Sequence, residues 1–363
     1  MRPACLEELT QTLKDEKGSV VPVGAGTQLY FGNPLHECDC ALELSGLTRI
    51  TEYVPGDLTI HMEAGVTLGE LSRVLAENGQ FVPLDPWNGP SATIGGIAAA
   101  NAQGSYRAVG TIRDWTIGMH VIEVNGNVSK TGGRVVKNVT GYDLAKLYTG
   151  SIGTLAIISE ISLKVRARFG RVVTAIARLE DAGAASRLLQ QIRTSPLQPV
   201  ACEWMGPENE VRVRFGEHPQ AVAWQLKNLP AADWRVVEGP EEGAAWAGLA
   251  GKYQSLGTIV LKVVGLPSTL PEIIRECRPL SWLAHVTNGI ALLGISDPSQ
   301  IPQIRRKYRA VIERAPLEVR RLIPTFGLEK AEYDLTLRLK KKFDPEGRLN
   351  PGRHVDGERD HAH

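Results

Sequence analysis

LDPWNGPSATIGGIAAANAQGS, at residues 84–105, is the stretch on which the fold depends, and GGRVVKNVTGYDLAKLYTGSIGTLAIISEISLKV, at residues 132–165, completes it. Small residues recur in and between these segments more often than a core of large side chains allows, at Gly89, Ser91, Ala92, Gly95, Gly96, Ala98, Ala99, Ala100, Gly104, Ser105, Gly110, Gly150, Ser151 and Gly153. Because glycine has no Cβ, such a chain lets a ligand approach the backbone closely. We therefore predict a binding surface, made largely of main-chain atoms, for something flat and bulky.

The length and the charge of the chain favour a two-domain protein that does not bind nucleic acid. With 363 residues, the chain is long enough for two domains that each bury a core. Its 41 Lys and Arg residues balance 40 Asp and Glu residues, for a formal net charge of +1. The basic run at residues 338–342 is typical of the solvated end of a helix, where cations stabilise the helix dipole. No basic run with interleaved aromatics indicates a nucleic-acid surface.

The five cysteines favour a reducing compartment. They are odd in number and scattered, at Cys5, Cys38, Cys40, Cys202 and Cys277. This spacing makes neither a disulfide framework nor a CxxC metal pair, and it does not supply the ligands of an iron–sulfur cluster. No charged-then-apolar leader opens the sequence, and no apolar run reaches about 18 residues. We expect no signal peptide and no membrane span.

The glycine loop after the first predicted strand is open to two interpretations. SVVPV predicts a strand that ends at the turn Gly24 to Gln28, and two or three further strands come before the next helix, at Val66 to Asn78. A dinucleotide-binding fingerprint needs GxGxxG to open a helix, but Leu29 stands at its sixth position and no helix follows. No GxxxxGK[ST] motif occurs either. The turn is then either a nest of amides that binds a phosphate or a plain strand-to-loop turn.

The small-residue stretch itself predicts a short helix followed by a hairpin. Ile94 to Asn101 has helical spacing, and its N-terminus after Thr93 is expected to present free amides suited to an anion. VIEV-NG-NVSK predicts a hairpin with Asn125-Gly126 as its turn. A short helix at Gly141 to Tyr148 and a long strand at Gly153 to Val165 follow.

After a boundary near Arg166 to Gly170, strands and helices alternate in an α+β pattern. Strand pairs separated by hairpin-length connections indicate an antiparallel sheet flanked by helices. Leu328 to Lys342 predicts one more amphipathic helix, and FDPEGRLNPGR at residues 343–353 predicts a compact terminal turn. The polar tail HVDGERDHAH contains three histidines, and we interpret it as frayed chain rather than a metal site.

Five ordered blocks resemble the vanillyl-alcohol oxidase/p-cresol methylhydroxylase superfamily of flavoproteins, and within it the FAD-binding subunits of bacterial glycolate oxidases. The blocks are VPVGAGTQL (21–29), ATIGGIAAAN (92–101), GTIRDWTIG (110–118), residues 132–165 and FDPEGRLNPGR (343–353). The resemblance implies an α+β fold with a two-subdomain FAD-binding domain of the p-cresol methylhydroxylase type at residues 1–167. It further implies a smaller cap domain at 168–325, with an antiparallel sheet flanked by helices, and a helix and tail at 326–363 that return to the FAD domain.

The same resemblance implies a set of FAD-binding residues. In such folds the glycine loop at 23–29 holds the pyrophosphate, the parts around Thr93 and 101–105 approach the phosphates and the flavin, and the tail returns through Asn350. The implied residues are Val23, Gly24, Ala25, Gly26, Thr27, Gln28, Leu29, Asp85, Thr93, Gly95, Gly96, Asn101, Gly104, Ser105, Gly150, Gly153, Ile158 and Asn350. Members with covalent flavin commonly have a histidine in this loop. Because residues 21–29 contain none, we expect non-covalent FAD.

One departure from the family pattern concerns catalysis. Relatives that oxidise 2-hydroxy acids have a motif of the type HAGDGNLH, which supplies metal and substrate ligands, whereas this chain reads AHVTNGIAL at residues 284–292. His285 matches the first histidine, but Leu292 stands in place of the second, so we expect no metal there and interpret His285 as structural. Candidates for a catalytic group near the flavin are His285, Tyr142, Lys137 and Arg107, each with an ordinary alternative as surface charge or packing.

The leading hypothesis is an FAD-binding subunit of a glycolate oxidase-type 2-hydroxy-acid dehydrogenase. It implies partners: a catalytic flavin subunit and an iron–sulfur subunit that receives the electrons. The expected location is cytoplasmic, with any contact to the inner face of the membrane made through those partners. Two alternatives stay open: a self-sufficient FAD dehydrogenase of another small substrate, and an assembly subunit that binds FAD without redox work.

Overall fold

The computed structural model describes residues 1–133 and 143–355 as two compact units. The first unit comprises residues 1–104, 110–168 and 320–363, and the second comprises residues 105–109 and 169–319. The functional division into residues 1–167, 168–325 and 326–363 stays a prediction. Among the described residues, no helix is both long and apolar enough to span a membrane.

The first unit follows the predicted order of elements. Along the chain these are α1 (Leu6–Asp15), β1 (Val20–Val23), β2 (Cys40–Glu43), β3 (Ile50–Val54), β4 (Thr59–Glu63), α2 (Leu68–Ala76), β5 (Gln80–Phe81), α3 (Ile94–Ala100), α4 (Ile112–Trp115), β6 (Thr116–Ile122), β7 (Val128–Gly132), α5 (Leu144–Tyr148), β8 (Ile157–Lys164) and β9 (Arg166–Ala167). The predicted hairpin is confirmed, since β6 and β7 pair antiparallel around Gly126, which has a φ of +81°.

The main sheet of this unit has the strand order β3-β4-β8-β6-β7, and the pairs described between its strands are antiparallel. Ile60 and Met62 of β4 point into a buried apolar core, where they pair with Leu163 and Ile161 of β8. The alternation of apolar and polar residues in LTIHMEA is therefore the alternation of two sheet faces. The helix α2 completes this core, and its predicted end at Gly79 is confirmed by a φ of +63°.

A parallel pair of strands, β1 and β2, forms a second small core with α1. Leu9 and Leu13 of α1 are fully buried in it. The spacing of these leucines places them on one face of the helix. This part of the chain positions the loop that follows β1.

The second unit is built on one large antiparallel sheet, which confirms the predicted α+β class. Its elements are β10 (Arg171–Arg178), α6 (Ala182–Thr194), β11 (Ala201–Gly206), β12 (Glu210–Glu217), α7 (Pro219–Lys227), β13 (Arg235–Glu238), α8 (Pro240–Ser255), β14 (Ile259–Val264), α9 (Leu270–Cys277), β15 (Ser281–His285), β16 (Ile290–Ile295), α10 (Gln300–Arg305) and β17 (Arg309–Arg314). The eight strands have the order β13-β10-β12-β11-β15-β16-β14-β17. The chain then passes through α11 (Leu317–Leu322) to α12 (Lys330–Phe343).

Residues 105–109 belong to this second unit because Tyr106 packs on its sheet. The Arg214 guanidinium lies 4.8 Å from the Tyr106 ring centroid and 4.9 Å from that of Trp246. Arg214 also forms a two-pronged ion pair with the buried carboxylate of Glu242, at 2.8 and 3.0 Å. A cation held between two rings and paired with a carboxylate is a strong anchor. A single boundary near residue 167 therefore does not account for residues 105–109, which belong to the second unit.

The C-terminal segment returns to the first unit beside β1. Leu349 forms an isolated parallel bridge with Val20, and the Asn350 amide donates to the Val20 carbonyl at 2.9 Å. The buried Arg348 side chain donates to the carbonyls of Gly18 at 3.0 Å and Val124 at 3.2 Å. The turn after α12 thus acts as a third strand next to β1, and this fixes the position of Asn350.

Candidate functional site

A cavity of about 420 Å³ lies inside the first unit, between the loop after β1, the helix α3, the start of β8 and the returning tail. Most of its lining is apolar or main chain. The lining residues are Val21, Pro22, Val23, Gly24, Ala25, Gly26, Thr27, Gln28, Leu29, Phe31, Leu35, Cys38, Ala41, Leu44, Ala64, Thr93, Gly95, Gly96, Ala99, Ala100, Ile152, Gly153, Ala156, Ile157, Ile158, Asn350 and Arg353. Of the small residues named in the sequence analysis, five line this cavity together with the first glycine loop: Gly95, Gly96, Ala99, Ala100 and Gly153.

The loop from Gly24 to Leu29 presents backbone amides at this cavity. Within the described residues, no hydrogen bond is made by the amides of the four residues 25–28. Gly26 has a φ of +72°, and a Cβ at this position would meet only Leu29, at 3.6 Å. Asn88 holds the loop by donating from Nδ2 to the Thr27 carbonyl at 2.7 Å. Unpartnered amides along a turn with a left-handed glycine form the kind of concavity that binds anionic oxygens.

Gly24 is required for a different reason, which is packing against α3. A Cβ at Gly24 would lie 2.1 Å from Oγ1 of Thr93. Thr93 is the N-cap of α3, and its hydroxyl accepts a hydrogen bond from the Gly96 amide at 3.2 Å. The absence of a side chain at residue 24 therefore lets the loop lie directly on the helix cap.

The prediction of free amides at the N-terminus of α3 is wrong. The Ile94 amide donates to the Val66 carbonyl and the Gly95 amide to the Ala64 carbonyl, both at 2.8 Å, while Gly96 bonds the Thr93 cap. Tertiary contacts with the segment after β4 satisfy these donors, and no single-sequence pattern shows such contacts. The helix therefore contributes a small-residue surface to the cavity, and the amides available for an anion are those of the loop.

The returning tail also lines the cavity, through Asn350 and Arg353. Asn350 has a φ of +45° and donates from Nδ2 to the Ile152 carbonyl at 2.6 Å. Gly153, with a φ of +64°, passes so close that a Cβ there would lie 3.0 Å from the same amide nitrogen. Asn350 and Gly153 thus hold each other at the cavity wall, although they are 197 residues apart in the sequence.

Arg353 is a lining residue that the sequence analysis missed. Its buried guanidinium donates to the carbonyls of Leu29 at 2.9 Å and Asn33 at 3.3 Å. Burial, with a smaller effect of the nearby Arg320 charge, lowers the pKa of Arg353 to about 10, so the side chain stays cationic at neutral pH. Its position gave a usable signal, because Arg353 is the last residue of FDPEGRLNPGR, one of the five blocks that carry the family resemblance. A buried cation next to unpartnered amides gives this end of the cavity a positive character.

Other residues implied by the resemblance lie outside the cavity lining. Asp85 accepts hydrogen bonds at Oδ1 from the Gly104 amide at 3.1 Å and from Gln103 at 3.0 Å. Asp85 and Gly104 therefore tie two loops together. Gly150 lines a separate cavity of about 190 Å³ against α12, and Ser105 belongs to the second unit.

Two orphaned polar atoms lie near the end of α3. Asn101 takes the left-handed conformation at the helix end, with a φ of +47°. Within the described part of the chain, its Oδ1 and the Oγ of Ser151 are buried without a hydrogen-bond partner. Buried polar atoms are rarely left unpaired in a complete protein. Neither residue lines the cavity of about 420 Å³, and Ser151 lines the separate cavity of about 190 Å³, so these two atoms lie outside the site that the loop amides face.

The structure describes two of the four catalytic candidates, His285 and Arg107, and both belong to the second unit. His285 ends β15 in the second unit, 2% exposed, and its Nδ1 lies 2.9 Å from Oε1 of the fully buried Glu203, the partner residue on β11. The Arg107 carbonyl accepts a hydrogen bond from Asn288, just after His285, at 3.5 Å. Tyr142 and Lys137 lie outside the described residues. The burial of His285 against a carboxylate supports the structural interpretation of this residue.

The chain is similar in sequence to several known proteins. Residues 2–132 match the family described as the FAD binding domain. The chain is 34% identical to the glycolate oxidase subunit GlcE of Escherichia coli, over 96% of each chain. It is 26% identical to the D-lactate dehydrogenase of Archaeoglobus fulgidus, over 98% of this chain and 90% of that protein.

A solved structure shows the same fold. The match is an alkyldihydroxyacetonephosphate synthase, with a TM-score of 0.72 over 97% of this chain and 75% of that one. At 15% sequence identity this likeness shows the fold alone. Together with the family match at residues 2–132, this likeness confirms the predicted FAD-binding fold of the p-cresol methylhydroxylase type.

Proposed function

Since the chain belongs to the family of FAD-linked oxidoreductases that includes glycolate oxidase subunits, we propose that it is the FAD-binding subunit of a 2-hydroxy-acid dehydrogenase complex of the glycolate oxidase type. Membership of this family confirms the predicted FAD cofactor and oxidoreductase class. The single observation that carries the proposal is the cavity of about 420 Å³, in which unpartnered amides and a buried arginine meet an apolar, small-residue wall.

The lining residues fit FAD in two chemically different parts. The amides of residues 25–28 and the Arg353 guanidinium would hold the pyrophosphate, because both bind anionic oxygens. The alanines of α3 and of the segment before β8, Ala99, Ala100 and Ala156, would accept a flat ring system. When bound, FAD supplies a two-electron acceptor for hydride removed from a substrate carbon.

The cofactor is proposed to be non-covalent. Among the described lining residues there is no histidine, and the glycine loop at 21–29 contains none. Acid precipitation of the purified protein tests this point, since it releases dissociable flavin into the supernatant and leaves covalent flavin in the pellet. Yellow colour retained in the pellet would contradict it.

The partners proposed are a catalytic flavin subunit and an iron–sulfur subunit. A hydroxy-acid oxidation needs a base for the hydroxyl proton, and His285 is buried against Glu203 rather than presented to a substrate. The five cysteines are free and are not grouped as cluster ligands. Both observations favour division of the work: a catalytic partner oxidises the substrate, and the FAD of this chain takes part in passing the electrons to the iron–sulfur partner.

An anaerobic titration tests the division of work. The chain is purified alone and with its two partners, and glycolate or D-lactate is added while the visible spectrum of the flavin is recorded. We expect a yellow isolated chain whose spectrum does not change, and bleaching in the complex. Rapid bleaching of the isolated chain would instead establish a self-sufficient dehydrogenase. A colourless chain that takes up no added FAD would overturn the proposal.

A further inference from the structure

Two histidines and a glutamate from three neighbouring strands meet on one face of the five-stranded sheet. His61 lies on β4, His120 on β6 and Glu160 on β8, which runs between the other two. Nε2 of His61 lies 3.4 Å from Oε2 of Glu160, and Nδ1 of His120 contacts the same oxygen. None of the three residues lines the cavity of about 420 Å³. The cluster is therefore separate from the proposed FAD site.

A β-bulge in β8 turns Glu160 toward the histidines. Val121 pairs with Ile158 and His120 pairs with Glu160, so Ser159 is an extra residue on β8. Without this insertion Glu160 would share a face with Ile158, whose side chain is in the apolar core. The Ser159 side chain fixes the bulge by donating to the His120 carbonyl at 3.1 Å. Bulges of this kind re-aim side chains and are common near functional sites.

Neighbouring groups orient the cluster. Nδ1 of His61 is 2.7 Å from Oγ of Ser162, which directs Nε2 at Glu160. A ligating histidine typically bonds a second group through its other ring nitrogen in this way. Glu63 pairs directly across from Glu160 on β4, but its buried carboxylate is taken by Arg49, at 2.8 and 2.9 Å. Glu160 faces the two imidazoles, and the three side chains together offer donor atoms of the kind that bind a metal ion.

The dimensions of the cluster suit a small divalent metal. The possible ligand atoms of the three side chains all lie within 4.8 Å of one another. In a tetrahedral zinc site with bonds of about 2.0 to 2.1 Å, neighbouring ligand atoms are about 3.3 Å apart. The His61 to Glu160 distance already matches this value, and modest side-chain rotation would bring the third ligand into place.

We propose that His61, His120 and Glu160 bind one divalent transition-metal ion, with Zn²⁺ as the best match to two imidazoles and one carboxylate. The His61 side chain is 5% exposed, whereas those of His120 and Glu160 are 18% and 15% exposed, so water can supply a fourth ligand from the solvent side. The ion joins β4, β6 and β8, and its outermost ligands, His61 and Glu160, are 99 residues apart in the sequence. It acts as a structural clip on the sheet of the FAD domain.

Zinc binding to the FAD-loaded full chain tests this site. Protein dialysed against EDTA is titrated with ZnCl₂ by calorimetry, and its thermal unfolding is followed over the same concentrations. We expect one Zn²⁺ per chain outside the tail and a Tm that rises with Zn²⁺ concentration, because the ion binds the folded sheet. Glu160→Gln, which keeps the size of the side chain, should weaken binding by roughly 100-fold, and Ser162→Ala by about 10-fold.

Two controls separate this cluster from other histidines. His361→Asn/His363→Asn removes possible ligands in the tail, and His218→Asn removes an exposed histidine of the second unit. Both proteins should retain the cluster's zinc and the rise in Tm. Circular dichroism and flavin content check the fold of each variant. If Glu160→Gln does not fold, Cu²⁺ bound to the wild-type chain should show the paramagnetic resonance pattern of two nitrogen ligands. The proposal is overturned if no zinc binds, if zinc binding survives Glu160→Gln, or if zinc binding is lost only in the tail variant. Absence of the two-nitrogen resonance pattern from the Cu²⁺-loaded chain would also overturn it.

Discussion

At the scale of single residues, the two glycines of the first loop have different physical roles. Gly24 is required because a Cβ would collide with Thr93, whereas Gly26 is required by its left-handed φ of +72° and faces open space. Residue 24 must therefore be glycine because its backbone lies against Thr93, and residue 26 favours glycine because the turn that exposes the amides is left-handed there. Both residues belong to the same GxG pair, which sequence alone treats as one motif.

Gly26→Val should lower FAD affinity by about tenfold or more. A β-branched residue in the left-handed region costs about 1–3 kcal/mol, and relief of that strain moves the amides that would hold the pyrophosphate. FAD content after dialysis and the Kd for added FAD measure the effect. Gly79→Val is the matched control, because Gly79 also has a positive φ and open space but lies outside the cavity. Equal FAD affinity in both variants would show that the loop is a plain turn.

His354 makes folding sensitive to pH. Its ring stacks on Phe326 with a centroid distance of 4.4 Å, and burial lowers its pKa to about 4. The unfolded chain takes up this proton near pH 6.5, while the folded chain resists until about pH 4. His354 therefore leaves stability unchanged above pH 6.5 and reduces it as the pH falls from 6.5 toward 4, by up to about 3 kcal/mol.

His354→Phe should remove this part of the pH dependence while it keeps an aromatic ring on Phe326. Urea unfolding at pH 7.5, 6 and 5 measures the free energy of unfolding of both proteins. The difference between variant and wild type should grow in favour of the variant as the pH falls. His218→Phe, at an exposed position, is the control. A difference that is independent of pH would mean that His354 does not resist protonation.

At the scale of elements, two helix caps of the same type allow a direct comparison. Thr67 accepts the Glu70 amide at the start of α2, and Thr93 accepts the Gly96 amide at the start of α3, each at 3.2 Å. Thr67→Ala and Thr93→Ala should each lower the free energy of unfolding by about 1 kcal/mol. Only Thr93 lines the cavity, so only Thr93→Ala should also weaken FAD binding. Denaturation curves and FAD titrations of both variants test this prediction. Equal FAD affinities would show that the cap of α3 does not contribute to FAD binding.

The elements also show what the sequence could predict. The strand alternation in LTIHMEA, the Asn-Gly hairpin and the helix before Gly79 are local signals, and all three are present in the structure. The partners of the α3 amides and the bulge at Ser159 depend on pairing between segments that are distant in the sequence. The cluster of His61, His120 and Glu160 is hidden for the same reason, because 59 and 40 residues separate its members. Periodicity reports which face of a strand is buried, and register between strands is a tertiary property.

At the scale of the whole molecule, the FAD domain is assembled from the two ends of the chain. The resemblance at residues 21–29 and 343–353 predicts that the C-terminal segment packs against the N-terminal part of the chain. In the structure, hydrogen bonds hold the two parts together. Arg353 and Asn350 contact the first loop and the segment before β8, while Arg348 is buried beneath β1. Folding of the cavity therefore depends on contacts across more than 300 residues, a long-range closure that is expected to come late in folding.

Arg348→Met tests that closure. The substitution keeps an unbranched side chain of similar length but removes the donors to the buried Val124 carbonyl and the partly buried Gly18 carbonyl. Each buried acceptor that loses its partner costs about 1–3 kcal/mol, so the loss of stability should total about 2–5 kcal/mol. Thermal unfolding should show a lower Tm, and FAD affinity should fall, because the tail that bears Asn350 and Arg353 is anchored through Arg348. Lys341→Met, on the exposed side of α12, removes a charge of the same sign and should change neither quantity. If Arg348→Met lowers the Tm but leaves FAD affinity intact, the tail stabilises the domain without shaping the cofactor site.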